Sequence, residues 1–251
     1  ELNRRSVRNQ IHDIERQLKI VEKNRAIVRE KRLDSSVFKI GLIGYTNAGK
    51  STIMNALTNK NQYEADKLFA TLDATTKGAN LTGRLNVTLT DTVGFIQDLP
   101  TELISSFKST LEESKNVDLL VHVIDASDPN HEEHEKTVLA IMKDLDMLDI
   151  PRLTLYNKAD KTGNFLPTLT PYVLISAKME NSRAILQEAL LDKMRELFVP
   201  FCIKVGASKA YKLYELESLA IIDKREYVEE SEMISGYIAE KNKWRLEEFY
   251  D

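Results

Sequence analysis

The sequence predicts an α/β fold in which a doubly wound, mostly parallel sheet forms the central domain, residues 37–198. Short apolar segments alternate there with amphipathic helical segments, which is the pattern of strands joined by helical crossovers. Polar motifs follow several apolar segments, at the strand ends where ligands bind in such sheets. A long helix is expected before this domain, in residues 1–36, and a small α+β domain after it, in residues 199–251.

The N-terminal segment is predicted to be a basic helix that lacks its partner helix. Apolar residues recur with the 4-3 spacing of a coiled-coil seam. They are Val7, Ile11, Ile14, Leu18, Val21 and Val28. Residues 1–32 carry a net charge of +5, which leaves −9 for the remainder of a chain whose net charge is −4. We therefore expect that the chain is truncated at its N-terminus and that this basic arm contacts a polyanion.

The remaining elements follow from periodicity and turn residues. In the central domain, strands are predicted at 37–44, 117–127, 152–157 and 172–176, with a strand pair around Gly83, and helices at 50–59, 101–116, 130–148 and 182–197. In the C-terminal region, a strand is predicted at 201–205, a helix at 208–222 and two strands within 224–242. The single cysteine, Cys202, falls in a predicted strand and is expected to be buried.

The stretch "GYTNAGKS", residues 44–51, lies between a predicted strand and a predicted helix. It matches the P-loop pattern G-x-x-x-x-G-K-[ST], whose backbone N–H groups wrap phosphates with help from the helix N-terminus. In this pattern Lys50 reaches the β- and γ-phosphates, and the Ser51 hydroxyl binds Mg²⁺. The candidate phosphate-binding residues are Gly44, Tyr45, Thr46, Asn47, Ala48, Gly49, Lys50, Ser51 and Thr52.

A second motif, "DTVG" at residues 91–94, ends an apolar strand about forty residues after the P-loop. Asp91 is expected to hold Mg²⁺ through water, and the Gly94 N–H is expected to reach the γ-phosphate. Thr92 and Val93 complete this candidate nucleotide contact. The next residue is Phe95, where Ras-like enzymes carry the glutamine that orients the attacking water.

Two further motifs predict a preference for guanine. In "NKAD", Asp160 is expected to accept hydrogen bonds from the base N1–H and exocyclic amine, a donor pair that adenine lacks. Asn157 is expected to contact the base edge, and Lys158 to pack over the site. In "SAK", residues 176–178, the Ala177 N–H is expected to reach the guanine O6, between Ser176 and Lys178.

The threonine that senses Mg²⁺ is left open by the residues alone. It is expected in the irregular stretch "KLFATLDATTKG", where Thr71, Thr75 and Thr76 compete. His131 and His134, at i, i+3 spacing, lack an evident third ligand, so a metal site there is not predicted.

With these residues in place, the chain resembles the HflX family of GTPases. The segments that carry the resemblance are "GYTNAGKSTIMNALT", "ADKLFATLDATTK", "LTDTVGFIQDLP" and "VHVIDASDP". The family's F-A-T-L-D segment supplies its Mg²⁺-facing threonine, which favours Thr71 over Thr76. The resemblance thus implies nucleotide contacts from Phe69, Ala70, Thr71, Leu72 and Asp73.

The resemblance also implies partners. HflX-like proteins have an N-terminal domain, joined to the GTPase domain by a helical hairpin, and they bind and split ribosomes through the large subunit. Residues 1–36 would be the second half of that hairpin. In related GTPases an asparagine at the position of Asn47 coordinates K⁺; the alternative is that Asn47 only caps the loop or contacts a switch.

The expected function is therefore slow hydrolysis of GTP to GDP and phosphate with Mg²⁺, stimulated by the large ribosomal subunit during ribosome splitting or rescue. The alternative is a GTP-dependent binding module or ribosome assembly factor whose turnover is incidental. We expect a cytoplasmic monomer without a membrane span, because no apolar run approaches about 18 residues and one cysteine cannot form an internal disulfide.

Overall fold

A computed structural model describes residues 36–58, 75–91, 114–163, 165–228 and 230–249. Its strands are β1 (Phe38–Gly44), β2 (Thr75–Asn80), β3 (Asn86–Asp91), β4 (Leu119–Asp125), β5 (Arg152–Asn157), β6 (Tyr172–Leu174), β7 (Val199–Gly206), β8 (Ala220–Val228) and β9 (Ser231–Ile238). Its α-helices are α1 (Lys50–Thr58), α2 (His131–Asp144), α3 (Ser182–Leu197) and α4 (Leu213–Glu217). Short 3₁₀ segments span Ser114–Asn116, Ala159–Lys161, Ala207–Lys212 and Glu240–Phe249.

The main sheet has six strands in the order β2-β3-β1-β4-β5-β6. All neighbours pair in parallel except β2 and β3, which form an antiparallel hairpin. The predicted doubly wound, mostly parallel α/β sheet is thus confirmed. Its consequence is that β1, β3, β4 and β5 direct their carboxyl ends to one edge, where the polar motifs follow.

The centre of the sheet is buried because its strands are almost wholly apolar. Ile40, Leu42, Val121 and Leu155 are no more than 1% exposed, and Ile53 of α1 packs into the same core. Continuous apolar strands of this kind are typical of sheets covered on both faces. The core therefore fixes the strand ends that carry the candidate site.

Two predicted elements of the central domain differ from the structure in their bounds. The strand pair around Gly83 is present, but its first strand begins at Thr75 rather than near residue 79. The helix predicted to reach residue 148 ends at Asp144, two residues before the left-handed Asp146. Residues 1–35, and residues 101–113 of the helix predicted at 101–116, lie outside the described residues.

The helix predicted at 208–222 is present as helical turns up to Glu217 but is wrong from Ala220 onward. A 3₁₀ turn and the short α4 occupy its first part, and from Ala220 the chain is strand β8. The apolar residues of this region suit a helical period, but pairing of β8 with β9 overrides local propensity. The alternation of β7 likewise exposes Cys202 between buried Phe201 and Ile203, so the expected burial of Cys202 is also wrong.

The C-terminal region forms an antiparallel three-stranded sheet in the order β7-β9-β8, with a core of its own that includes Phe201, Ile203 and Ile234. Ile221 and Ala239, by contrast, are buried in the main core. The small sheet is thus packed on the large one. No described helix is long and apolar enough to cross a membrane.

A buried carboxylate joins the two sheets. Glu217, at the end of α4, is 2% exposed and forms ion pairs with Arg84 from the β2–β3 turn and Arg225 from β8. Nearby, the Asn86 N–H donates to the Ser218 carbonyl at 3.0 Å. The turn of the β2–β3 hairpin is therefore anchored to the C-terminal sheet.

Arg84→Ala should destabilise the fold, because it removes one partner from a buried carboxylate. We expect the free energy of unfolding in urea to fall by about 1–3 kcal/mol. The control is Lys224→Ala, which removes an exposed cation paired with Glu226 and should change stability by less than about 0.5 kcal/mol. Equal effects of the two substitutions would contradict the role given to Glu217.

Candidate functional site

The P-loop turns sharply after β1 and depends on two close backbone approaches. A Cβ atom on Gly44 would lie 2.2 Å from the Val123 carbonyl oxygen. One on Gly49, whose φ is +97°, would lie 2.2 Å from the Asn157 side-chain nitrogen. Asn47 adopts the left-handed region at φ 60°, a conformation that asparagine tolerates better than most residues. The sequence pattern thus has a direct steric basis.

Lys50, the first residue of α1, is buried beneath this loop. Its ammonium donates to the carbonyls of Gly44 at 3.2 Å and Tyr45 at 3.0 Å. Burial lowers the pKa of Lys50 to about 8, against a smaller upward effect of the Asp91 carboxylate. Phosphate oxygens at this loop would therefore meet the ammonium of Lys50, whose charge the two carbonyls and Asp91 offset only in part.

Ser51 and Asp91 meet at the head of the loop. The Ser51 hydroxyl donates to the Asp91 carboxylate at 2.8 Å, and Asp91 is fully buried at the end of β3. A hydroxyl beside a carboxylate is the oxygen donor set that Mg²⁺ prefers near phosphates. The residues present thus fit the predicted ion.

Thr76, the alternative ligand, is engaged within the hairpin. Its hydroxyl lies 3.1 Å from that of Thr90, the residue paired with it across the hairpin. Because side chains alternate along a strand, Thr90 and Thr76 face the side of the sheet opposite Asp91. This favours Thr71, and the choice between the two threonines stays a prediction.

Several predicted residues lie outside the described residues and are untested. They are Phe69, Ala70, Thr71, Leu72, Asp73, Thr92, Val93, Gly94 and Phe95.

Asn157 joins three of the motifs. Its side-chain nitrogen donates to the Ala48 carbonyl at 2.9 Å, and its side-chain oxygen accepts from the Ala177 N–H at 3.0 Å. Asn157 is 2% exposed. Both ends of its amide thus contact the protein. The expected contacts of Asn157 with the base edge and of Ala177 with a base oxygen stay predictions. Its role in the structure is to fix the P-loop against the 176–178 loop.

Asp160 and Lys158 lie at the same edge. Asp160 is exposed, and a hydrogen bond from the Ser176 hydroxyl holds the pKa of its carboxyl below the usual value. Lys158 has a left-handed backbone, at φ 62°, and its ammonium pairs with Asp125 at 2.7 Å. Lys178 is exposed beside them.

Sequence reasoning missed Asp125. This carboxylate ends β4 directly beside Asn157 in the sheet register, and it also accepts from the Ser127 N–H and hydroxyl. The signal was available, because Asp125 ends a buried strand parallel to the strand that carries Asn157. Among the described residues, no group of three His, Cys, Asp or Glu side chains is arranged to hold a metal ion.

Comparisons with known proteins agree with a P-loop and further nucleotide-binding motifs at one edge of the sheet. Residues 39–158 match the family model described as "50S ribosome-binding GTPase". GTPase HflX of Alkalihalophilus pseudofirmus is 41% identical over 96% of this chain and 58% of its own length. GTPase HflX of Chlamydia pneumoniae is 39% identical over 95% of this chain and 52% of its own.

The chain belongs to the HflX family of GTPases. It spans between about half and three fifths of the length of these two HflX relatives. A solved GTP-binding protein from Sulfolobus solfataricus, in complex with GDP, superposes with a TM-score of 0.52 and 25% identity over 72% of this chain and 58% of that one. The fold is thus that of a P-loop GTPase.

Asn157→Asp should weaken GDP binding, because aspartate keeps the acceptor for Ala177 but loses the donor to Ala48. The unpaired Ala48 carbonyl should lower the free energy of unfolding by about 1–3 kcal/mol. Because the P-loop then loses its tie to residue 157, GDP affinity, measured with a fluorescent GDP analogue, should fall by at least about fivefold. Asn181→Asp makes the same chemical change at an exposed position before α3 and should leave affinity unchanged. Unaltered binding by Asn157→Asp would contradict the role of its amide.

Lys50 should take up a proton when nucleotide binds above pH 8. Its pKa in the free protein is about 8, and phosphate oxygens favour the charged form, so affinity should fall as pH rises above that value. Titration calorimetry of GDP in Tris and in HEPES should report well over half a proton taken up at pH 8.5 and little at pH 7. Identical heats in both buffers at pH 8.5 would contradict this.

Proposed function

We propose that this chain binds GTP together with Mg²⁺ and hydrolyses it to GDP and phosphate. The observation that carries the proposal is the buried Asn157 amide, which holds the P-loop and the 176–178 loop in fixed relation. A nucleotide-binding site needs one loop for the phosphates and another for the base, and the distance between the two loops must match the length of the nucleotide. A chance glycine-rich turn would have no reason to be tied to a second motif 109 residues away.

Guanine selection is assigned to Asp160. Its exposed carboxylate follows β5 and would accept from both the N1–H and the exocyclic amine of guanine. Ser176 orients this carboxylate by donating to it. Lys158, fixed by Asp125, would cover the ring.

Asp160→Asn should change base preference, because an amide offers a donor where guanine presents its amine. Affinity for GDP should fall by more than about tenfold. Xanthosine diphosphate carries an oxygen in place of the exocyclic amine, so its affinity relative to that of GDP should rise. Competition against a fluorescent nucleotide measures both affinities. An unchanged ratio between the two nucleotides would remove Asp160 from base recognition.

On the phosphate side, Ser51 and Asp91 would hold Mg²⁺, with Thr71 as the further ligand from the 69–73 segment. When bound, the ion neutralises charge on the phosphates. Lys50 would exchange its two loop carbonyls for phosphate oxygens, and the Gly94 N–H would contact the γ-phosphate. Segments 69–73 and 92–94 would then act as switches that order around the γ-phosphate and loosen after its release.

Slow intrinsic hydrolysis is proposed because Phe95 has no group that can orient water. An arginine finger contributes about 10³–10⁵ in rate in other GTPases, and the proposed residues include none. Asn47, exposed at the outer turn of the P-loop, is the proposed ligand of K⁺. The alternative, that Asn47 only shapes the turn, is supported by its left-handed backbone.

The proposed partner is the large ribosomal subunit, in ribosome splitting or rescue. Support comes from the matched description "50S ribosome-binding GTPase", from the HflX relatives, and from the +5 charge of residues 1–32, which suits RNA. The proposed organisation is a basic helical linker (1–36), a GTPase domain (37–198) and a C-terminal domain (199–251). The second candidate function is that of a ribosome assembly factor or GTP-dependent binding module whose GTP hydrolysis is incidental. Phe95 favours it, because this side chain cannot orient the attacking water.

Turnover of GTP should rise strongly when large ribosomal subunits are added. Phosphate release is measured in K⁺ and in Na⁺, with and without subunits, on this chain and on the HflX relative of Alkalihalophilus pseudofirmus, of which this chain spans 58%. Stimulation that is weaker for this chain than for the relative would support activation through the part of the relative that this chain does not match. No stimulation of either would favour the binding module, and equal rates in K⁺ and Na⁺ would remove the proposed K⁺ site.

A further inference from the structure

Tyr45, the second residue of the P-loop, stacks on a histidine that the site described above does not use. Its ring lies parallel to that of His134, in the first turn of α2, with 3.7 Å between centroids and 8° between planes. The carboxylate of Asp128 lies 3.5 Å from the His134 Nδ1. The imidazole is thus held between a carboxylate and the loop.

The helix turn that carries His134 is itself fixed. The next residue, Glu135, is buried and accepts hydrogen bonds from Tyr156 of β5, at 2.9 Å, and from Thr168. Behind the stacked rings the space bounded by His122 and Val138 has a volume of only about 10 Å³, hardly enough for one water molecule. The platform under Tyr45 is therefore closely packed.

The backbone of Tyr45 is the point where the loop closes. Its carbonyl accepts from the Lys50 ammonium at 3.0 Å and from the Ala48 N–H at 3.3 Å. A shift of the Tyr45 ring would move this carbonyl and, with it, the turn through Asn47. Preorganised N–H groups bind an anion more tightly, because less ordering remains to be done on binding.

We propose that His134 is a positioning residue for nucleotide binding. Its ring fixes Tyr45 and so keeps the P-loop amides in the conformation that receives phosphates. The proposal rests on the assignment of residues 44–51 as the phosphate site. It also explains the pair His131 and His134 without a metal: only the second histidine faces the loop, while the first lies 5.1 Å from Phe165.

The test compares His134→Ala with His134→Phe, which restores a stacking ring without the ring nitrogens. For His134→Ala we expect GDP and GTP affinity to fall together by roughly three- to tenfold. The value of kcat at saturating GTP should stay within about twofold, since the stack is present in both ground and transition states. His134→Phe should bind within about twofold of the unsubstituted protein.

The matched control is His131→Ala, which removes a ring from the same helix turn and should leave both affinities unchanged. Circular dichroism checks that α2 stays folded in His134→Ala. Tyr45→Leu tests the same contact from the loop side and should also weaken binding.

Unchanged affinity of folded His134→Ala would overturn the proposal. So would equal losses for His134→Ala and His134→Phe, or for His131→Ala and His134→Ala, because the ring itself would then not be responsible. Failure of the unsubstituted protein to bind GDP is a separate outcome, which would reject the phosphate site and not the stack alone.

Discussion

The buried amide of Asn157 is the contact on which the geometry of the site depends. Strands β1, β5 and β6 end near it. The loop after β1 is the P-loop, and the loops after β5 and β6 carry residues 157–160 and 176–178. Alone, such loops would be free to move relative to one another, because their backbone groups lie at the surface. The amide donates to Ala48 and accepts from Ala177, so it sets the distance between the P-loop and the 176–178 loop. Gly49 is required in the same place, since any side chain would displace that amide.

Around this contact, charged and polar groups of the protein pair with one another. Lys50 donates to loop carbonyls, Ser51 donates to Asp91, and Lys158 pairs with Asp125. These contacts fix the positions of the side chains that follow β1, β3 and β5. β3 links this site to the C-terminal region, because one end carries Asp91 and the other, at Asn86, donates its N–H to the Ser218 carbonyl.

The fold and the motifs could be predicted because they depend on local pattern. Apolar strands that alternate with helices imply a parallel sheet, and its topology alone brings residues 44–51, 91 and 157–160 to one edge. What could not be predicted are contacts between distant residues, such as Asn157 with Ala48, Asp125 with Lys158, and Tyr45 with His134. The end of the helix predicted at 208–222 is a strand for the same reason, since a helical period does not reveal the pairing of β8 with β9.

The most direct test of a preformed guanine-nucleotide site is amide hydrogen exchange with and without GDP and Mg²⁺. The account predicts slower exchange in three separate segments together, residues 44–52, 157–160 and 176–178, with little change in the C-terminal sheet. Protection of the P-loop alone, or protection at another surface, would contradict the claim that Asn157 holds the phosphate and base loops as one site.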